Sequence, residues 1–277
     1  MEIKEIDSII DAAFREDFPL GDITSESLIP SQSVSEAVIL AKEGGVLAGI
    51  EIAERVFEKI NSSLVFKKNF EDGQIFVRND ILVRLKGNSI SILKGERTAL
   101  NFLQRMSGIA TKTRKFVKAL EGTKTKVLDT RKTTPGLRIL EKYAVKIGGG
   151  ENHRFNLSEM VMIKDNHLKL VGSVYEAISR VRKKVSKGVK VEVETKNLNE
   201  VMEAVRSGAD MIMLDNMPLE KIKEVVRWVK GRVPLEVSGK VTLDKIKDIS
   251  SLGVDYISVG GLTHSYKSLD ISLEFLD

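Results

Sequence analysis

The chain of 277 residues contains no cysteine, a single tryptophan and only 5% aromatic residues. Without cysteine it cannot form disulfide bonds, use a thiolate nucleophile or build a cysteine-ligated metal site. Proteins that bind nucleic acid commonly stack bases on aromatic side chains. The scarcity of aromatics, together with the lack of a known nucleic-acid-reading motif, therefore argues against that class of protein.

Long apolar runs are also absent from the sequence. No run approaches the roughly 20 residues that a membrane-spanning helix needs. The charged stretch from Met1 to Glu5 has no apolar core of the kind found in signal peptides. We therefore expect a cytoplasmic protein whose partners include neither a membrane nor a nucleic acid.

The residues that are present predict a globular chain with a local excess of positive charge. Hydrophobic residues make up 42% of the chain and charged residues 30%, which is enough for one large α/β domain or two modest ones. The net charge is +5. With nucleic acid and membranes set aside, this charge favours a small anionic ligand.

The first part of the chain, to about residue 107, has mixed helical and strand patterns. Apolar residues at 81–85 and 90–93 predict two short strands, and residues 86–89 predict a hairpin turn between them. A long helix follows, with an apolar face made of Leu100, Leu103, Met106 and Ile109. We expect this helix to link two parts of the protein.

From residue 126 onward, short apolar runs alternate with amphipathic helical stretches, which predicts a parallel sheet, open or closed into a barrel. The predicted strands lie at 126–128, 160–163, 189–193, 211–214, 235–237 and 256–259. Each is followed by polar residues or glycine, at 129–132, 164–167, 194, 215–216, 238–239 and 260–261. In a parallel barrel these ends open on one face, where active sites lie. The series of polar strand ends therefore predicts an active site.

A basic segment between Asp129 and His167 supplies candidate anion ligands. Five of its side chains follow turns or strand ends and are expected to face a crevice: Arg131, Lys132, His153, Arg154 and Lys164. Arginine grips a carboxylate or phosphate through paired hydrogen bonds, whereas lysine supplies a point charge. Three others, Arg138, Lys142 and Lys146, have helical spacing, and we expect them to form a solvated helix face.

Two further sets of residues complete the predicted site. Ser238-Gly239 and Gly260-Gly261 follow the last two strands, where glycines expose backbone N–H groups that suit a phosphate. The carboxylates of Glu194 and Asp215 can bind ribose hydroxyls, help to place a magnesium ion, or form a salt bridge with Lys164 or Arg131. The three histidines lack metal-site spacing, and no nucleophile elbow or dinucleotide-binding motif is present.

An ordered series of motifs resembles the quinolinate phosphoribosyltransferase family, also called nicotinate-nucleotide pyrophosphorylase (carboxylating). The run DTRKTTPGLR at 129–138 carries the resemblance most strongly. Further matches are GDIT at 21–24, ERTALN at 96–101, SGIAT at 107–111, KYA at 142–144, GGGENHR at 148–154, IKDNH at 163–167, VEVE at 191–194, LDN at 214–216, SG at 238–239 and VGGLTHS at 259–265. The matches span nearly the whole chain, so the series is far more specific than any single motif.

The resemblance implies a fold and a reaction. The expected fold is α/β, with an N-terminal α/β sandwich domain at 1–107 and an open parallel α/β barrel at 108–267. Residues 268–277 are expected to pack back on the first domain. The implied enzyme is a pentosyltransferase in NAD biosynthesis. It transfers phosphoribosyl from phosphoribosyl pyrophosphate to quinolinate and releases pyrophosphate and CO2 to give nicotinate mononucleotide. The resemblance also implies Mg²⁺ as a cofactor and a homodimer or larger homo-oligomer.

The resemblance also implies roles for individual residues. Quinolinate would contact Arg131, His153, Arg154 and Lys164, with Arg97 contributed by a neighbouring subunit. The catalytic residues would be Lys132, Glu194 and Asp215, and these would bind phosphoribosyl pyrophosphate together with Ser238, Gly239, Gly260 and Gly261. The family usually has a third residue, glycine, after the Ser-Gly pair, whereas this chain has Lys240. Lys240 either points outward or adds a positive charge to the phosphate loop.

Three other functions remain open from the sequence. One is a paralogue of the same family that is associated with molybdenum transport loci, although the residues expected to bind the dicarboxylate are intact here. A second is a phosphate-binding barrel lyase or aldolase that forms a Schiff base on Lys164. A third is a barrel that binds sugar phosphates without turnover.

Overall fold

The chain divides into two compact units in a computed structural model that describes residues 3–276. Unit 1 comprises Met1–Arg114, Thr133–Gly149 and Leu262–Asp277, and unit 2 comprises Lys115–Lys132 and Gly150–Gly261. The units therefore interleave along the chain. Residues 108–114, 133–149 and 262–267, which the sequence assigned to the barrel domain, belong to unit 1.

Unit 1 is built on a four-stranded antiparallel sheet of order β12-β1-β5-β3. These strands are β1 (Val34–Ala41), β3 (Val65–Lys68), β5 (Ile81–Asn88) and β12 (Ile271–Phe275), and a small second sheet pairs β2 (Gly45–Val46) with β4 (Ile75–Phe76). The helices are α1 (Ile3–Asp17), α2 (Ile23–Leu28), α3 (Ile50–Ile60), α4 (Ser89–Ala119) and α5 (Arg138–Ile147). The C-terminal strand β12 pairs with β1, so the tail of the chain completes this sheet.

The predicted hairpin at 86–89 is wrong, because the chain passes from β5 directly into α4. The side chain of Asn88 accepts a hydrogen bond from the backbone N–H of Ser91 at 3.0 Å, as a helix-capping residue does. The apolar residues at 90–93 are the first turn of α4, with Ile92 completely buried. Strand β1 was not predicted from the sequence.

The predicted solvated helix face on α5 is also wrong at one of its three positions. Lys146 is exposed and Arg138 is half-buried, but Lys142 is only 1% exposed. The buried residues of α5 are Leu140, Glu141, Lys142, Ala144 and Val145. At 3.6 residues per turn they cover an arc of about 200°. This arc is wider than one face of a surface helix, and it includes Lys142 at its edge.

Unit 2 is an open parallel α/β barrel with the six predicted strands, in the order β6-β11-β10-β9-β8-β7. The strands are β6 (Lys126–Leu128), β7 (Val161–Ile163), β8 (Val191–Thr195), β9 (Met211–Asp215), β10 (Leu235–Ser238) and β11 (Tyr256–Ser258). The helices are α6 (Asp165–Val171), α7 (Val174–Lys184), α8 (Leu198–Arg206), α9 (Leu219–Val229), α10 (Leu243–Ser251) and α11 (Gly261–His264), of which α11 runs on into unit 1. Among residues 3–276, no helix is both long enough and apolar enough to cross a membrane.

Alternation along the strands of unit 2 separates two kinds of side chain. In β8, Val191 and Val193 are completely buried, and so are Val201 and Ala204 of α8, the helix that follows. Because successive side chains point to opposite faces of a strand, Glu192 and Glu194 share the other face. Strand β10 has the same pattern, in which Glu236 and Ser238 alternate with the apolar residues Leu235 and Val237. This second face carries the polar groups of the site.

Candidate active site

The structure places the predicted site residues, apart from Arg97, in unit 2 at or just beyond the carboxyl ends of the strands. Arg131 and Lys132 follow β6, Lys164 follows β7, Glu194 and Asp215 end β8 and β9, Ser238 and Gly239 end β10, and Gly260 and Gly261 follow β11. His153 and Arg154 come directly after the segment in which Glu151 bridges to Leu128 of β6. Arg97 is exposed on α4, in unit 1.

The positively charged part of the site contains two arginines that lie close enough to influence each other. Burial lowers the pKa of Arg154, and the positive charge of Arg131 lowers it further. The Arg154 guanidinium is held in place by a hydrogen bond from Nη1 to the carbonyl oxygen of Met160 at 2.9 Å. Two guanidinium groups held together in this way repel each other until an anion lies between them. The pair is therefore suited to a carboxylate ligand.

The acidic part of the site also contains two groups of like charge. Burial raises the pKa of Glu194, and the negative charge of Asp215 raises it further. The side-chain amide of Asn216 donates a hydrogen bond to Asp215 Oδ2 at 2.9 Å and so orients this carboxylate. Lys164 Nζ lies 3.9 Å from Glu194 Oε2, at the outer limit of an ion pair. This long separation leaves both groups able to bind a ligand.

The loop after β10 has a backbone shape that few side chains tolerate. Gly239 has a φ of +100°, and a Cβ atom built on it would lie 2.3 Å from Asn216 Oδ1. The Asn216 backbone N–H donates to the Ser238 carbonyl at 2.8 Å and holds the loop against the end of β9. Lys240 is exposed and has a φ of +48°, in the left-handed region that favours glycine. The substitution of lysine for the family's glycine therefore falls where it strains the backbone.

His153 is almost completely buried and is bonded to the protein through both ring nitrogens. Its Nε2 lies 2.9 Å from Glu192 Oε2 and 3.3 Å from Glu236 Oε2. Its Nδ1 accepts a hydrogen bond from the Arg154 backbone N–H at 2.7 Å. An accepting Nδ1 carries no proton in this geometry, so the ring hydrogen is on Nε2 and points at the carboxylates.

The two carboxylates beside His153 change the proton affinities of the group. Burial by itself lowers the pKa of His153, but the hydrogen bonds with Glu192 and Glu236 outweigh burial and raise it to about 9. Burial raises the pKa of Glu192 to about 7, with a further increase from the charge of Glu236 and an opposing decrease from the His153 hydrogen bond. Both shifts favour keeping a proton in the hydrogen bond between His153 Nε2 and Glu192 Oε2, since Nδ1 accepts a hydrogen bond and carries none.

Sequence reasoning assigned no role to Glu192, Glu236 or Ser258. Both glutamates are completely inaccessible to solvent, and Ser258 Oγ donates a hydrogen bond to Glu236 Oε1. A signal was available, because strands of a parallel sheet are usually continuous apolar runs. A glutamate inside Val-Glu-Val or Leu-Glu-Val is rare in such a strand unless it has a partner.

One group in residues 3–276 brings three metal-ligand side chains together. These are His153, Glu192 and Glu236, whose ligand atoms all lie within 4.8 Å of one another. The 2.9 Å separation between His153 Nε2 and Glu192 Oε2 is that of a charge-assisted hydrogen bond. A shared proton therefore accounts for this arrangement without a metal ion.

Comparison with known proteins gives consistent matches over both parts of the chain. Residues 22–107 match the family model described as quinolinate phosphoribosyl transferase, N-terminal domain, and residues 109–274 match the corresponding C-terminal domain. A protein from Bacillus subtilis, named probable nicotinate-nucleotide pyrophosphorylase [carboxylating], is 42% identical over 98% of this chain and 93% of its own length. A mitochondrial quinolinate phosphoribosyltransferase [decarboxylating] from Nicotiana tabacum is 43% identical over 92% of this chain and 77% of its own.

Solved structures match the fold over the full chain. NadC from Streptococcus pyogenes superposes with a TM-score of 0.96 at 43% identity, covering 100% of this chain and 99% of that one. A nicotinate-nucleotide pyrophosphorylase from Ehrlichia chaffeensis superposes with a TM-score of 0.95 at 42% identity, with the same coverage. These similarities confirm the predicted fold class, a sandwich domain with an open α/β barrel.

The left-handed backbone at Lys240 leads to a stability prediction. Replacing Lys240 with glycine should raise the free energy of unfolding by up to about 1 kcal/mol, because glycine avoids the steric cost of that conformation. Lys240→Ala removes the same charge but keeps the cost, and so serves as the matched control. Chemical denaturation measures both. Equal stabilities for the glycine and alanine variants would contradict the assignment of strain to this residue.

Proposed function

This chain belongs to the quinolinate phosphoribosyltransferase family, and we propose that the carboxyl ends of the strands in unit 2 form its active site. The enzyme transfers phosphoribosyl from phosphoribosyl pyrophosphate to quinolinate, with loss of CO2. The products are nicotinate mononucleotide, pyrophosphate and CO2, and the reaction serves NAD biosynthesis. One observation carries the site assignment. A pair of arginines and a pair of acidic residues, each pair close enough to shift a pKa, lie at the carboxyl ends of strands of one parallel sheet.

The arginine pair is the proposed site for the carboxylates of quinolinate. Arg131 and Arg154 each offer a planar fork of N–H donors, which matches a carboxylate in a bidentate arrangement. Lys164 adds a point charge from the end of β7, and its side chain is half exposed. Quinolinate carries two adjacent carboxylates, whose negative charges complement this group of cations.

The acidic pair and the glycine loops are the proposed site for phosphoribosyl pyrophosphate. Glu194 and Asp215 would accept hydrogen bonds from ribose hydroxyls, and Lys132 would face the pyrophosphate. The backbone N–H donor of Lys132 is directed to Thr130 Oγ1 at 3.1 Å, which shapes the turn that carries its side chain. The 5-phosphate would bind at Ser238, Gly239, Gly260 and Gly261, where glycines allow backbone N–H groups to approach it.

Catalysis in this arrangement rests on positioning and charge. The quinolinate nitrogen attacks the anomeric carbon of the ribose while pyrophosphate leaves, and positive charge develops on the sugar in the transition state. The carboxylates of Glu194 and Asp215 would stabilise that charge, and Lys132 would stabilise the leaving group. When CO2 leaves, the electron pair of the broken C–C bond stays on the ring carbon, where the positive charge of the adjacent pyridinium nitrogen stabilises it, and a proton then binds to that carbon in place of the carboxylate. No covalent enzyme intermediate is needed.

Magnesium is part of the proposal, and the acidic residues fit it. Mg²⁺ prefers oxygen ligands. Burial and the charge of Asp215 both raise the pKa of Glu194, and a nearby cation would offset both effects. Glu194 and Asp215 are therefore the residues that would hold it, together with the substrate phosphates. When bound, the ion neutralises negative charge on the pyrophosphate group.

The geometry disfavours a Schiff-base lyase. Lys164 Nζ lies 3.9 Å from Glu194 Oε2, and the Lys164 side chain is 49% exposed. A Schiff-base lysine must be uncharged to attack a carbonyl, which desolvation or a neighbouring cation brings about. An accessible ammonium beside a carboxylate is instead suited to binding an anion.

The assembly and the location of the enzyme are also proposed. Arg97 is exposed on α4, so it is available to reach a site on another subunit. We propose a homodimer or larger homo-oligomer in which Arg97 joins Arg131 and Arg154 at the quinolinate site of the neighbouring chain. A cytoplasmic location is supported by the cysteine-free composition.

The proposed site is tested by the reaction itself. The purified protein, with quinolinate, phosphoribosyl pyrophosphate and Mg²⁺, should release pyrophosphate and form nicotinate mononucleotide. Lys132→Ala should lower kcat/KM by about 100-fold or more, because it removes charge stabilisation of the leaving group. Lys118→Ala, at an exposed position on α4, is the control and should be fully active. Absence of turnover by the wild-type protein would sink the proposed function.

Sharing of Arg97 between subunits can be tested by mixing two inactive variants. Arg97→Ala and Lys132→Ala are each expected to be inactive, because every site in either assembly lacks one group. In a mixed dimer, one site lacks both groups and the other is intact, so random 1:1 mixing should restore about one quarter of the wild-type activity. Verified mixed dimers that stay inactive would contradict sharing.

A further inference from the structure

A buried polar cluster lies below the strand ends in unit 2. We call it the interior polar cluster and define it as Asp129, His153, Glu192, Glu236 and Ser258. All five residues are at least 90% buried, and Asp129, Glu192 and Glu236 are completely inaccessible. Glu192 lies on the same face of β8 as Glu194, two residues deeper in the barrel. The cluster therefore lies beneath the site without forming part of its accessible surface.

The cluster forms a chain of polar contacts, hydrogen bonds except for a charge contact between Glu236 and His153, that ends at a substrate-binding residue. Ser258 Oγ donates to Glu236 Oε1, and Glu236 Oε2 lies 3.3 Å from His153 Nε2. Glu192 Oε2 accepts from the same His153 nitrogen at 2.9 Å. On the opposite side of the ring, Nδ1 accepts from the Arg154 backbone at 2.7 Å. The two glutamates thus determine the ring orientation, and the ring determines where the Arg154 backbone lies.

The same cluster is connected to the other arginine of the quinolinate site. The backbone N–H of His153 donates to Asp129 Oδ1 at 2.9 Å. The backbone N–H of Asp129 in turn donates to the Glu151 carbonyl at 3.1 Å. Asp129 lies two residues before Arg131 and directly after β6. Displacement of His153 would therefore disturb the segments that carry both arginines.

Burying such a cluster adds little to the stability of the fold, which indicates that it has another role. A buried group of charges is often no more stabilising than well-packed apolar residues of similar volume. Glu192 Oε1 is buried and has no hydrogen-bond partner in the described part of the chain, which adds to the cost. Buried networks of this kind do, however, restrict their members to one geometry. An active site that must hold two arginines in fixed positions benefits from that restriction.

We propose that Glu192 and Glu236 are positioning residues for quinolinate, which hold His153 so that its ring and backbone fix the segments carrying Arg154 and Arg131. This inference rests on the proposed function and deepens it. It assigns to His153 a role as an inner support, since both ring nitrogens bind the protein. The phosphoribosyl pyrophosphate residue Ser238 has a further contact outside the cluster, because its carbonyl accepts a hydrogen bond from the Asn216 backbone N–H at 2.8 Å.

Because Asn216 lies outside the interior polar cluster, kinetics with the two substrates can test the proposal. Glu192→Leu removes the acceptor for His153 Nε2 and should raise KM for quinolinate by about tenfold or more, while KM for phosphoribosyl pyrophosphate stays within about twofold. Glu192→Gln keeps an acceptor oxygen and should limit the rise to about threefold. Ser258→Ala removes only one neutral hydrogen-bond donor and so disturbs folding least, and it should raise KM for quinolinate by a similar small factor.

The matched control removes a buried hydrogen bond elsewhere in the same barrel. Thr125 Oγ1 donates to the Val254 carbonyl at 2.7 Å, at the amino end of β6 and away from the site. Thr125→Val should leave KM for both substrates unchanged even if it lowers stability. Equal increases in both KM values for the Glu192 variants, or no increase in either, would overturn the proposed positioning role.

A second readout does not depend on turnover and so separates this inference from the proposed function. Hydrogen exchange followed by mass spectrometry reports on the Arg154 amide, which is protected by its bond to His153 Nδ1. Peptides covering 152–156 should exchange at least about tenfold faster in Glu192→Leu than in wild type or Thr125→Val. Unchanged exchange would overturn the inference even if the enzyme is active. Faster exchange in a protein without turnover would support the inference and sink only the function.

Discussion

The alternation of side chains along parallel strands is the constraint on which the active site depends. In unit 2, one face of each strand packs against helices, and the other turns toward the interior of the barrel. Residues two apart on this second face lie at different depths in the barrel. Glu192 is therefore buried, whereas Glu194, nearer the carboxyl end of β8, reaches the crevice. A shift of one residue in any strand would exchange apolar and polar faces. The register of the sheet therefore sets which groups meet the substrates.

Two pairs of like charges give the site its chemical character. Burial and the charge of Arg131 lower the pKa of Arg154, and burial and the charge of Asp215 raise the pKa of Glu194. Each pair is balanced when a partner of opposite charge arrives, a dicarboxylate in the first case and a cation in the second. Substrate binding thus adds charges that complement those of the site. The backbone strain at Lys240 and the burial of the Glu192 carboxylate both lower stability close to the site, as is common at functional sites.

Much of the fold and of the site could be predicted because the strands and their ends have strong sequence patterns. The six strands of unit 2 and the residues that follow them were found from apolar runs bounded by polar residues. The start of α4 was missed because a short apolar run fits a strand and a helix equally well. Burial of Lys142 could not be foreseen, since it depends on how widely α5 is covered by its neighbours. Roles for Glu192 and Glu236 were not predicted, because both lie inside strands and not among the polar residues at the strand ends.

A crystal structure of the enzyme with quinolinate bound tests the central claim most directly. The account predicts that both carboxylates lie within hydrogen-bond distance of the cationic group, with the guanidinium groups of Arg131 and Arg154 and the ammonium of Lys164 as donors. It also predicts that His153 keeps its bonds to Glu192 and to the Arg154 backbone. Quinolinate bound away from these three cations, or bound through a ring nitrogen of His153 released from Glu192, would contradict the account.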